Sequence, residues 1–128
     1  MKALKGSILS RSSHGGEGFK TQRRESIEKW LKEYDIENYT INDDFTINVN
    51  GFVNISNKNL KEFPEYIQFG VVRGSFDCSY CHLKSLKGAP KEVGGYFDCD
   101  DHELTSLEGA PKKVPDAFNC SDNELTSL

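Results

Sequence analysis

The segments Gly74-Ser75-Phe76-Asp77-Cys78, Gly95-Tyr96-Phe97-Asp98-Cys99 and Asp116-Ala117-Phe118-Asn119-Cys120 recur at a fixed lag of 21 residues. The register runs past these cores through Leu83/Leu104/Leu125, Ser85/Ser106/Ser127, Leu86/Leu107/Leu128, Gly88/Gly109, Ala89/Ala110, Pro90/Pro111 and Val93/Val114. A divergent earlier copy lies 23 residues upstream, where Val53, Ile55, Leu60 and Phe63 answer to Phe76, Cys78, Leu83 and Leu86. Self-similarity at a lag of roughly 20–29 residues with an apolar template of this kind is the pattern of a stacked coil. Each repeat is a unit that cannot bury its apolar edge alone and needs a neighbour above and below.

Within a repeat the Phe and the Cys are two apart, so on a strand both face inward. Gly-Ala-Pro cannot continue a helix or a ladder and turns the chain back, while the Leu pair, such as Leu104 and Leu107, covers the returning side. Upstream the period changes. Ile27, Trp30, Leu31 and Tyr34 fall at i, i+3, i+4 and i+7, and the spacing predicts an amphipathic helix starting near Thr21. Glu28 and Lys32 add a favourable i, i+4 pair on its polar side. Tyr39–Ile41 and Phe45–Val49 read as strands joined through Asn42-Asp43-Asp44, and Asn50-Gly51 marks a tight turn before a further strand at Phe52–Ile55.

The expected fold is α+β: an N-terminal amphipathic helix and β-hairpin capping a short parallel β-solenoid of about four rungs. Residues 1–20 are expected to form a flexible basic arm, 21–50 the helix and hairpin cap, and 51–128 the repeat region. Ser12-Ser13-His14-Gly15-Gly16-Glu17-Gly18 is the reason for the arm, since such a stretch buries little and costs much to order. With 128 residues there is room for one compact domain. No apolar run approaches the roughly 20 residues of a membrane-spanning helix, and the first ten residues lack the apolar stretch of a secretory signal. Residues 1–24 carry six basic groups against one acid, whereas the rest is acidic enough to bring the net charge to −4. The basic groups lack the dense clustering with aromatics that nucleic-acid platforms use, so nucleic acid and membrane are not expected partners.

Residues 118–128 (Phe118, Cys120, Asn123, Leu125, Leu128) match Leu-x-Leu-x-x-Asn-x-Leu-x-x-Leu, and here the chain resembles leucine-rich repeat proteins. The asparagine position is Lys58, Cys81 and His102 in the other copies, a departure from a regular asparagine ladder. The stretch LTSLEGAPKKV…FNCSDNELTSL is also similar to the short repeat proteins encoded by tailed bacteriophages, often preceded by a segment like Ile27–Asn42. That resemblance implies a leucine-rich-repeat-like fold and a phage origin. It places the protein in the host cell cytoplasm or the virion.

Several motifs compete with the repeat. Cys78-Ser79-Tyr80-Cys81-His82 spells the haem-attachment signature Cys-x-x-Cys-His, but Cys78 is the inward cysteine that Cys99 and Cys120 repeat. Cys78-x-x-Cys81 with Cys99-x-x-His102 supplies four soft ligands in zinc-site pairs. Cys120-x-x-Asn123 continues the phase without them, and a buried thiol also serves as a small hydrophobe, so core packing is the preferred reading. Gly15–Thr21 lacks the Gly-Lys-Ser/Thr adjacency of a phosphate loop. No nucleophile, base or carboxylate constellation surrounds His14, His82 or His102; the expectation is a non-enzyme with no cofactor.

The outward positions are more telling. Stacking would align Asp77, Tyr80, Tyr96, Asp98, Asp100, Asp101 and Asp122 into a strip of five carboxylates and two tyrosines, a surface for a protein partner of basic character. The sequence ends within a repeat without a polar closing copy, so Phe118, Leu125 and Leu128 are expected to self-associate or dock on a partner. The expected function is a phage-encoded protein–protein interaction module that binds and inhibits a host defence or regulatory protein. The alternatives are a structural or assembly component of the virion and a small zinc-binding domain.

Overall fold

The structure, a computed structural model, describes residues 15–100, 103–123 and 125. Among the described residues it is an α+β arrangement of one helix and two four-stranded sheets. Helix α1 (Gly15–Glu33) is followed by β1 (Tyr39–Ile41), β2 (Thr46–Val49), β3 (Val53–Asn54), β4 (Gln68–Val72), β5 (Phe76–Asp77), β6 (Glu92–Val93), β7 (Phe97–Asp98) and β8 (Phe118–Asn119). The first sheet has the order β1-β2-β4-β6 and the second β3-β5-β7-β8.

Helix α1 begins at Gly15, six residues before the expected start at Thr21, so residues 15–20 belong to the helix and not to an arm. The glycines that argued for disorder are overridden by anchoring one turn further on. Arg24 donates to the carbonyls of Ile41 and Asn42 (3.2 and 3.4 Å) and Arg23 lies over the Phe45 ring, 4.4 Å from its centroid. Once that nucleus is held, each preceding residue adds a hydrogen bond at the low cost of propagation. The far end closes as a Schellman motif. Asp35 takes the left-handed conformation (φ 57°), its N–H donates to Lys32 and the Ile36 N–H donates to Leu31 (3.1 and 2.9 Å). Ile27, Trp30 and Leu31 are buried as their spacing requires, with Trp30 against Phe63 and Phe69 at ring distances of 6.1 and 6.2 Å.

β1 and β2 form the expected antiparallel hairpin, with Tyr39 opposite Val49. Every later pairing is parallel. In the second sheet Val53 pairs with Phe76, Phe76 with Phe97 and Phe97 with Phe118, so the lags of 23 and 21 residues in the sequence are the register of the ladder. The phenylalanines form a column inside it, with ring centroids 5.7 Å apart for Phe76–Phe97 and 5.2 Å for Phe97–Phe118. Phe69, from the first sheet, meets Phe76 edge-on at 5.3 Å and ties the two sheets into one core.

The first sheet continues past its hairpin by the same arithmetic: Val72 pairs with Val93, and an isolated bridge joins Glu92 to Lys113. Between the sheets, Gly88 and Gly109 turn the chain at φ 103° and 94°, values that glycine alone adopts freely. Leu83, Leu86 and Leu104 are buried on the returning side as expected, while Leu107 is half-buried. Among the described residues no helix is long and apolar enough to cross a membrane.

Candidate interaction surface

Strand alternation places Asp77 and Asp98 on the outer side of the second sheet, each beside a fully buried Phe, and the ladder sets the two directly opposite one another. Asn54 and Asn119 extend the row on either side. These side chains also shape the backbone that follows them. The Asp77 Oδ1 accepts from the Ser79 N–H and hydroxyl (3.0 and 2.6 Å), Asn54 does the same for Ser56 (3.0 and 2.6 Å), and Asp98 accepts from the Asp100 N–H (3.1 Å). The i, i+2 spacing of Asp or Asn before Ser is the sequence signal of such turns.

Half-burying the Asp98 carboxyl comes at a cost. Burial, then the neighbouring Asp100 and Asp77 carboxylates, raise the pKa of the Asp98 carboxyl above its ordinary value, although the Asp100 N–H opposes the shift. An acid raised in the folded state contributes stability present below its ordinary pKa of about 3.9 and lost as pH rises through the raised value. Asp98→Asn keeps the acceptor and removes the charge. We expect it to melt at a higher temperature than the wild type at pH 7, with the gap closing as pH is lowered towards 3, as followed by circular dichroism.

Tyr96 precedes the buried Phe97 and is 40% exposed, on the same outer side as Asp98. Tyr80 is 53% exposed in the turn after β5, and its N–H donates to the Asp100 carbonyl (3.0 Å), which brings it beside the next repeat. Its backbone is left-handed (φ 57°) at the position that Asn57 and Asp122 occupy in other repeats (φ 60° and 57°). Asn and Asp enter this region far more readily than tyrosine. Asp100 departs from the strip: its Oδ1 accepts from the Ser121 N–H and hydroxyl (2.8 and 2.9 Å), so this carboxylate links two repeats. Asp122 is exposed one repeat further on. Asp101, His102 and Leu128 lie outside the described residues, as do residues 1–14 of the expected arm.

The cysteines line the interior. Cys78 and Cys99 are fully buried, with thiols directed at the Asp98 and Asn119 carbonyls (3.4 and 3.2 Å). Burial first, then Cys120 and the Asp100 and Asp98 carboxylates, push the Cys99 thiol up to about 12. Burial likewise holds Cys78 well above the usual thiol range. Among the described residues no group of three or more His, Cys, Asp or Glu is arranged to hold a metal ion.

Cys81 fills the asparagine position of its repeat and acts in its place. Asn123 Nδ2 donates to the carbonyl of Cys99, in the preceding repeat, at 2.9 Å; the Cys81 thiol donates to Ile55, the equivalent residue one repeat before it, at 2.8 Å. Cys81→Asn should therefore change stability by less than about 1 kcal/mol. Cys81→Ala should cost about 1–3 kcal/mol in chemical denaturation, because it leaves a buried carbonyl unpaired.

At the far end, Phe118, Cys120 and Leu125 are half-buried, Phe118 packing against Phe97 with the rings tilted by 40°. Phe52, which no motif marked out, is 71% exposed beside β3. In comparisons with known proteins, no family model, curated protein or solved structure matches the chain.

Proposed function

We propose that the chain is a leucine-rich-repeat-like solenoid of about four rungs, and that it works as a non-enzymatic protein–protein interaction module. In this reading the two parallel ladders are the walls of one coil, and the outer face of the second sheet is the recognition surface. The supporting observation is the in-register pair Asp77 and Asp98, two carboxylates set directly opposite one another and accompanied by the exposed rings of Tyr96 and Tyr80. A face needed only for solubility would be served by asparagine, which already stands at 54 and 119. A basic partner relieves the repulsion, and tyrosines give it large contact area at small entropy cost.

The resemblance to short phage-encoded repeat proteins makes the partner a host defence or regulatory protein, bound and inhibited in the host cytoplasm. The test is a pull-down from infected cells with the wild type and an Asp77→Asn/Asp98→Asn/Tyr96→Ala variant of unchanged fold. The reading expects a partner recovered by the wild type alone; equal recovery by both overturns it. Assembly within a virion is the second reading, favoured by the half-buried Phe118 of edge strand β8 and Leu125 after it. Abundant copies in purified particles, detected by mass spectrometry, would support that role.

A further inference from the structure

The two sheets end unequally on the side of helix α1. In the first, β1 lies beyond β2 and closes the ladder. In the second, β3 is the edge strand, and beyond it lies a groove of about 390 Å³ between Asp35–Asn38 on one side and Gly51–Asn54 on the other. Its walls are fixed by hydrogen bonds, not left loose: the Schellman bonds hold Asp35 and Ile36, and the Asn50 N–H donates to the Asn38 carbonyl (2.8 Å).

The ladder shows what the open edge offers. Going down the stack, Val53 and Ile55 donate to Ser75 and Asp77, and Phe76 and Cys78 donate to Tyr96 and Asp98. Each repeat thus presents two carbonyls to the repeat above it. In β3 the equivalent carbonyls belong to Phe52 and Asn54, residues that line the groove, and among the described residues no further strand of the sheet reaches them. Asp35 and Glu37 line the same groove, as does Phe52, which is 71% exposed. The groove therefore sets acceptors and negative charge beside the apolar Ile36, Phe52 and Val53.

We propose that this groove binds a single extended peptide segment bearing lysine or arginine, which adds to β3 as a further strand. The peptide's N–H groups meet the Phe52 and Asn54 carbonyls, its cations the Asp35 and Glu37 carboxylates, and an apolar side chain the Phe52 ring. Strand addition of this kind draws affinity from main-chain bonds and selectivity from alternate side chains. A second copy of the protein does not fit, because its terminal repeat carries both ladders and β1 already occupies the place of one of them. The site adjoins the Asp77–Asp98 face at Asn54 but uses the edge of the sheet, not its outer face.

The probe is a capped octapeptide of alternating lysine and valine, titrated into the isotopically labelled full chain and followed by amide NMR shifts. The expected result is perturbation confined to Asp35–Asn38 and Phe52–Asn54, with affinity about ten-fold weaker in Phe52→Ala. N-methylation of alternate peptide amides, which removes the donors, should weaken binding at least as much. Absence of perturbation, equal binding of the N-methylated peptide, or shifts centred on Tyr96 and Asp98 would overturn the proposal; the last would leave the function proposed above standing.

Discussion

Replacing Phe97 by alanine is expected to cost about 3–5 kcal/mol, the range for emptying a fully buried aromatic site. Phe97 has no exposed surface and lies between Phe76 and Phe118, with ring centroids 5.7 and 5.2 Å away. The backbone bonds of β5, β7 and β8 hold the repeats at the spacing of about 4.8 Å common to sheets, so the neighbours cannot close over the void. Domains of this size are stable by only about 5–15 kcal/mol, so the urea midpoint should fall by a large fraction. Phe52→Ala is the control. It removes an equal ring from an exposed site, and its stability should stay within about 0.5 kcal/mol of the wild type.

Gly94→Ala should be as damaging, by a different route. A Cβ at Gly94 would stand 1.8 Å from the Arg73 carbonyl oxygen and 2.7 Å from its carbon. These are backbone atoms of the repeat above, joined to the same segment by the Gly94 N–H, which donates to the Val72 and Gly74 carbonyls (2.9 and 3.1 Å). Relief requires separating two repeats, and overpacking of this kind typically costs about 1–3 kcal/mol or more. Because the obstacle is main chain, we expect the upper end or beyond, with loss of protection from amide exchange across β5–β7. Gly18→Ala shows that the residue type is not at fault. Nothing lies within 4 Å of a Cβ there, and removing a helical glycine should stabilise by about 0.5–1 kcal/mol.

The second sheet was legible because its inward residues are nearly the same in each copy. Phe76, Phe97 and Phe118 repeat one residue type at one lag, and even the divergent Val53 lies at the lag of its ladder. The parallel run of the first sheet was hidden. Gly70, Glu92 and Lys113 interrupt any alternation along β4, β6 and the bridge that follows, and the signal is a single valine per copy: Val49, Val72, Val93 and Val114. Those strands form because the neighbouring repeats are already stacked, a tertiary cause that leaves little local trace. The start of α1 was missed for a similar reason: Arg23 and Arg24 hold it to the hairpin by contacts of long sequence separation. At the surface, the outward direction of Asp77, Asp98 and Tyr96 followed from alternation alone. The engagement of Asp100 with Ser121 needed the neighbouring repeat in place.

The vertical alignment of equivalent residues underlies both the core and the proposed recognition surface, and ring-to-ring NOEs in protein with labelled phenylalanines test it most directly. Cross-peaks are expected between Phe76 and Phe97 and between Phe97 and Phe118, whereas Phe76 and Phe118, separated by the ring between them, should show none. A Phe97 ring without contact to either neighbour would contradict the account.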